Sequence, residues 1–286
     1  MKLLKKRKPN RSRAGDFAVY IVLALFGWFF VLPLIFAINA SLKPLDEIFL
    51  FPPRLWVQKP TFDNFADLFV LMGKTWVPFS RYIFNTVFIT VVGTLGHIWI
   101  ASMAAYVLSK YRFPGSRAFF AIVVTALMFA PQVLNIPLYL VMTKLGWVDN
   151  VLAIIVPAFA MPMGLFLMKQ FMEQIPDVLI EAAKVDGAKE ARIYFQIIMP
   201  LVKPASLTLA IFSIIRLWNE RASNFIYAEE LKTLPYALQQ IISGGSIARA
   251  GVGAAVSMFI MVFPLLFFIF AQSNVIETMA SSGIKE

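Results

Sequence analysis

Six apolar segments, separated by shorter polar stretches, dominate the chain: residues 17–38, 83–107, 118–142, 151–171, 205–226 and 251–273. A helix rising 1.5 Å per residue needs ~20 apolar residues to cross the hydrocarbon of a bilayer. Only helices or closed barrels satisfy their backbone polar groups there, and these runs lack the alternation of ~10-residue barrel strands. The pattern predicts an all-α membrane protein with six transmembrane helices. The first run, Phe17 to Ile38, exceeds the apolar core of a secretory signal, and Asn39 interrupts the small-residue pattern around Ala37 and Ala40. It reads as an uncleaved span.

Several spans carry breaks or polar groups. Pro131 and Pro137 interrupt the third and Pro157 and Pro162 the fourth, so both are expected to kink or unwind. Unwound backbone at membrane depth must be buried in protein or line a water-filled cavity. Gln132 and Asn135, beside the first break, have two roles open to them: hydrogen-bonding a polar solute, or holding helices together. In the second span Gly93, Gly96, Ala101, Ala104 and Ala105 form a small-residue stripe that lets backbones approach. His97 reads as a packing residue there. The fifth span holds Arg216, ~16 Å beyond Ala205 and so near the midplane, with Glu220 four residues on along the same face. A charge at that depth costs at least ~2.5 kcal/mol and normally faces a bundle interior or a cavity. Arg216, Trp218, Asn219 and Glu220 are therefore a solute-path lining, a structural Arg–Glu pair, or, if the span starts deeper, a cluster at the outer surface.

Charge orients these spans. Hydrophobic residues are 59% of the chain and charged residues 15%, with a net charge of +10. Lys2, Lys5, Lys6, Arg7, Lys8, Arg11 and Arg13 crowd the tail before the first span, which suits the lipid bilayer as partner and not nucleic acid. Lys110, Arg112 and Arg117 fill the loop between spans two and three with no acid, whereas Lys144 and Asp149 offset each other in the next connection. The positive-inside rule then places both termini and the 172–204 loop in the cytoplasm. The expected layout is a basic cytoplasmic tail (1–16), the first span (17–38), an extracytoplasmic segment (39–82), a five-span core (83–273) and a cytoplasmic C-terminal tail (274–286). Zero cysteines and a single histidine leave no thiolate or histidine metal cluster.

The 172–204 loop is a charged island. Pro176-Asp177 suits a helix start, Val178 to Val185 form about two turns, and Gly187 offers a left-handed stop before a second helix over 188–198 that ends near Pro200. The prediction is a helix-turn-helix standing outside the membrane. Ala182 and Ala183 are too small to hold another protein away, and Glu181 offers a charge for an Arg or Lys on that partner.

The run Glu181-Ala-Ala, three residues, Gly187, nine residues, Ile197-Ile-Met199-Pro200 resembles the coupling loop of permease subunits of ATP-binding-cassette importers, with Met199 where that family usually has Leu. Further segments resemble permeases of the carbohydrate-uptake type: Asn85-Thr86, Ala104 to Gly115, Pro137-Leu-Tyr139, Phe171 to Pro176, Pro200 to Pro204, Trp218-Asn219 and Thr233-Leu-Pro235. Arg221 departs from the apolar or aromatic residue common there. The resemblance implies a non-catalytic subunit of a prokaryotic plasma membrane. Its implied partners are a second homologous permease, two copies of a cytoplasmic ATPase and an extracytoplasmic solute-binding protein, with a sugar or oligosaccharide as cargo. Glu181, Ala182, Ala183, Asp186, Gly187 and Ala188 would then contact the ATPase. No cofactor is expected on this chain, ATP and Mg belonging to the partner; accordingly, no Gly-x-x-x-x-Gly-Lys-Ser/Thr phosphate loop occurs. The alternative is an ion-coupled secondary transporter or channel, for which Glu220 and His97 are the loose candidates.

Overall fold

The computed structural model describes residues 13–73, 76–221, 224–243 and 250–282. The basic cluster from Lys2 to Arg11 and residues 283–286 of the expected C-terminal tail lie outside them. In chain order the elements are α1 (Arg13–Ser41), α2 (Leu45–Ile48), α3 (Asp63–Gly73), α4 (Phe79–Lys110) and α5 (Ser116–Ala126), then a 3-10 turn (Pro131–Leu134), α6 (Asn135–Lys144), α7 (Leu152–Phe159) and α8 (Pro162–Glu173). They continue with α9 (Asp177–Val185), α10 (Glu190–Ile193), a π turn (Tyr194–Ile198), α11 (Met199–Leu201), α12 (Lys203–Trp218), a 3-10 turn (Glu229–Leu231), α13 (Leu234–Ser243) and α14 (Ala250–Ser282). No strand occurs among the described residues.

Four stretches are long and apolar enough to cross a membrane: Gly15–Ser41, Phe79–Lys110, Leu152–Glu173 and Ala250–Phe270. A fifth results if Glu190–Leu201 and Lys203–Trp218, bent by 74° from each other, count as one broken span. The expected third span, 118–142, is not one helix. Ala130 is extended at φ −66, ψ 132 because the ring of Pro131 excludes the helical conformation from the residue before it. Pro137 causes no break, since it sits in the first turn of α6, where a missing N–H costs little. Pro162 acts as Pro131 does, with Met161 extended at φ −64, ψ 123, yet α7 and α8 together still qualify as one span.

The expected fifth span also ends early. α12 stops at Trp218, and the Asn219 side chain turns back to the Ile215 carbonyl at 2.7 Å, competing with continuation of the helix. The chain beyond is pinned elsewhere. The Asp149 carboxylate accepts the backbone N–H groups of Tyr227 and Ala228 at 2.6 and 2.8 Å, and the Thr233 hydroxyl donates to the Glu220 carbonyl at 2.7 Å. Those two backbone hydrogen bonds hold the Asp149 carboxyl below its usual range. Glu220 therefore does not follow Arg216 along a continuous helical face.

The chain divides into two compact units, one of residues 1–70 with 245–258 and one of residues 71–244 with 259–286. In the first, the segment after α1 is tied down by buried polar groups. Glu47, 5% exposed, accepts the N–H groups of Gln58 and Lys59, and the Asn64 amide donates to the carbonyls of Ser41 and Lys43 at 2.9 and 2.7 Å. In the second, α4 is the central post. The small-residue stripe does what its composition predicts: a Cβ on Gly93 would lie 2.6 Å from Leu217 of α12, and one on Gly96 would lie 2.1 Å from the Phe159 ring of α7. Ala101 and Ala105 are buried against Met168 and Met172 of α8. His97 is a packing residue, as expected. Its ring nitrogens meet Ser213 Oγ at 2.8 Å and the Met161 carbonyl at 3.2 Å, and Gly164 lies too close beneath it for any side chain.

Candidate site: a helical elbow packed on α4

Pro176 is extended and lacks an N–H, so the helix begins cleanly at Asp177, whose carboxylate meets Lys110 Nζ of α4 at 2.7 Å. That hydrogen bond, with the charge of Lys110 behind it, holds the Asp177 carboxyl below its usual range. At the other end of α9 the chain reverses in a Schellman turn: Ala188 N–H donates to the Ala183 carbonyl at 2.9 Å and Gly187 N–H to the Lys184 carbonyl at 3.0 Å. Gly187 has φ +78, the left-handed value its place in the sequence predicts. The second helix starts at Glu190, two residues later than expected. It widens into the π turn at Tyr194–Ile198 and, instead of stopping at Ile198 ahead of Pro200 as expected, runs on into α11, which contains that proline. The wider turn accommodates the Pro200 ring, which would clash with the carbonyl four residues back in an α-helix.

The elbow is not a loose connection. Ile180, Ala183, Ile193, Tyr194 and Ile198 are buried in one cluster with residues of α4, α8 and α12. The Tyr194 hydroxyl lies 2.6 Å from Ser102 Oγ of α4, and the Tyr106 hydroxyl of α4 donates to Glu190 at 2.9 Å. Across the Gly187 turn, Lys184 pairs with Glu190 at 2.9 Å and lies 5.4 Å from the Tyr111 ring centre. Hydrogen bonds from Lys184, then from the Tyr111 and Tyr106 hydroxyls, hold the Glu190 carboxyl down to about 2. Sequence reading missed Lys184, Glu190, Tyr106, Lys110 and Asp177 as one group, because no spacing rule relates α4 to a segment some 80 residues on.

The expected contact residues separate into two faces. Glu181, Ala182, Asp186 and Gly187 are exposed and Ala188 half-buried. Ala183 is the exception: at 7% exposure it faces inward, so its small side chain serves the approach of α9 to its own core and not that of another protein. The outward face contains a signal the pattern alone did not reveal. Val178 and Val185 are 69% and 88% exposed, and with Ala182 between them they make an apolar stripe at helical spacing beside Glu181.

The candidate solute-path residues are placed less uniformly. Gln132 and Asn135 are exposed in and just after the first 3-10 turn, and α6 reaches the cluster around Leu217 through Leu138. Arg216 is exposed in the last turn of α12, with Nη1 2.6 Å from Met161 Sδ. Asn219 is exposed and Glu220 half-buried. Trp218 does not line an opening: it is 5% exposed, stacks on Phe263 of α14 with ring centres 3.9 Å apart, and donates Nε1–H to the Ile260 carbonyl at 3.1 Å. Its apolar ring is more stable against α14 than exposed, and its one donor is satisfied there.

Comparison with known proteins matches residues 97–279 to the family described as the inner membrane component of binding-protein-dependent transport systems. The arabinooligosaccharides transport system permease protein AraQ of Halalkalibacterium halodurans is 30% identical over 97% of this chain and 99% of its own length. The polygalacturonan/rhamnogalacturonan transport system permease protein YtcP of Bacillus subtilis is 30% identical over 85% of each chain. In fold, a subunit of a bacterial ABC transporter involved in import of the acidic polysaccharide alginate superposes with TM-score 0.77 at 24% identity, covering 93% of this chain and 99% of that one.

Proposed function

The chain belongs to the inner-membrane-component family of binding-protein-dependent transport systems, and from that premise we propose that it is the permease subunit of an ATP-binding-cassette importer for oligosaccharides. The oligosaccharide cargo is supported by the transport systems to which its relatives belong. The carrying observation is the α9–α10 elbow: an exposed Val178–Ala182–Val185 stripe with Glu181 beside it, on a helix whose other face is fixed to α4, α8 and α12. An exposed apolar stripe at helical spacing on a polar segment is the kind of surface that a partner protein covers. In this reading the partner is one of two copies of a cytoplasmic ATPase, whose groove takes the stripe while a basic residue pairs with Glu181. ATP and Mg are held by the ATPase and none by this chain.

Six spans complete the arrangement: α1, α4, the broken α5–α6 pair, α7–α8, α12 and α14. Both termini and the elbow face the cytoplasm, and residues 39–82 face outward. A second, related permease closes the solute path. As the ATPase pair closes, Asp177–Lys110 and Glu190–Tyr106 carry the elbow's displacement into α4, while the shared core carries it into α8 and α12. The path opens outward to receive solute from the binding protein, with Gln132, Asn135, Arg216, Asn219 and Glu220 along it. Trp218 anchors the end of α12 to α14. Reopening of the ATPase pair returns the path to face inward.

Affinity purification of the full chain from native membranes in mild detergent tests this. Wild type is expected to bring down an ATPase and a second permease, and Glu181→Lys to lose the ATPase while keeping the permease. Wild type emerging without an ATPase in several detergents, with uptake that follows an ion gradient, would overturn the importer reading.

A further inference from the structure

A second cleft, of about 730 Å³, lies away from both the elbow's outward face and the candidate solute path. It is bounded by the end of α4, the 111–117 turn, the start of α5 and the last turn of α8. Three cations line it, Arg112, Arg117 and Lys169, against one carboxylate, Glu173. Lys169 is 8% exposed, a rare setting for a lysine, and is fixed by an ion pair with Glu173 and by lying 4.0 Å from the Phe120 ring centre. Arg112 and Arg117 are exposed, and neither makes a hydrogen bond or salt bridge among the described residues; Asp177, held by Lys110, acts on Arg112 only at a distance. The same lining includes Phe113, 40% exposed, and Phe120, stacked on Phe166 of α8.

A cleft that mixes unpaired guanidinium groups with aromatic rings fits an amphiphile with a negative head. α5 supplies the location: set in a bilayer as in the proposed function, this apolar helix begins at Ser116, four residues after Arg112, and exposes Phe119 and Ile122 at 51% and 68%. The cleft thus opens at the level of lipid headgroups, where free guanidinium forks match phosphate oxygens and aromatic rings lie along the upper acyl chain. We propose that this cleft binds an anionic phospholipid, its phosphate held by Arg112 and Arg117 near the fixed Lys169, and its acyl chain along the exposed Phe113. The site rests on α5 being set in a bilayer and is independent of which solute the protein carries.

The test is native mass spectrometry of the full chain, purified with whatever subunits accompany it and titrated with phosphatidylglycerol, with phosphatidylcholine, and with phosphatidylglycerol plus inorganic phosphate. Wild type should retain phosphatidylglycerol in preference to phosphatidylcholine, undisplaced by phosphate. The double substitution Arg112→Gln, Arg117→Gln should lower retention by ~30-fold, the loss expected from removing two cations at an anionic surface. Arg112→Lys, Arg117→Lys, which keeps the charge, should retain most of it and so separates lost binding from lost folding. Equal retention of the two lipids, wild-type retention in the Gln variant, or displacement by inorganic phosphate would overturn the proposal. So would a Gln variant that keeps its lipid and loses an accompanying ATPase, since the cleft would then serve a protein partner.

Discussion

Gly187 and Glu190 carry the elbow at the scale of single residues. A β-branched side chain at φ +78 is strained by ~1–2 kcal/mol, and open space around the position means that no packing contact obscures the backbone effect. Gly187→Val is expected to abolish uptake while leaving the chain in the membrane fraction, and Gly187→Asn, which tolerates left-handed backbone, to retain most uptake; wild-type uptake by the Val variant would refute the role of the turn. Glu190 gives a pH signature. Its folded value of about 2 lies below the ordinary 4.5, so its contribution to the elbow is complete above 4.5 and is lost as pH falls through 2. Amide exchange of residues 184–194 is expected to be flat with pH, after correction for intrinsic rates, down to 4.5 and to quicken below it in wild type but not in Glu190→Gln. The pair is half exposed, at 46% and 53%, so solvent screens it and the effect is small. Gly187 was legible in the sequence because only glycine marks a left-handed stop. Glu190 was not, since Tyr106 and Tyr111, which hold it together with Lys184, come from α4 and the turn after it.

At the scale of elements, the apolar runs located α1, α4, α7–α8 and α14, and the small-residue stripe identified which face of α4 its neighbours approach. Hydropathy has no term for where a run stops being helical, so it ran through the break inside the third span and overran the end of the fifth. Ala130 and Asn219 decide those ends by local conformation and a side-chain hydrogen bond, and only the Pro131 break was foreshadowed by residue type. Ala183 was misassigned for a related reason: the motif fixes which residues are small, and the helical phase against the core decides which way each one faces. Close packing at α4 yields a direct test. Gly96→Val places carbon about 2.1 Å from the Phe159 ring and is expected to cost ~1–3 kcal/mol, seen as a lower melting temperature of the purified chain, whereas Gly73→Ala meets nothing within 4 Å and should leave it nearly unchanged.

For the whole molecule, topology is the property to measure, and the absence of cysteine from the sequence makes single-cysteine labelling free of background. Lys189→Cys is expected to react with an impermeant maleimide only from the cytoplasmic side and Lys144→Cys only from outside; the reverse pattern would invert the molecule and remove the elbow from any ATPase. The bend of 74° between Glu190–Leu201 and Lys203–Trp218 has a mechanical corollary. On the proposed mechanism the two arms act as a bell crank pivoting near Val202, which is 1% exposed within its core. The longer arm, 16 residues, is ~24 Å long at 1.5 Å per residue, and a turn of ~10° about that pivot sweeps its far end sideways by ~4 Å. A displacement of that size exceeds the radius of a water molecule, so in the proposed cycle a small nudge at the elbow would be enough to part or seal the solute path at the far end of α12.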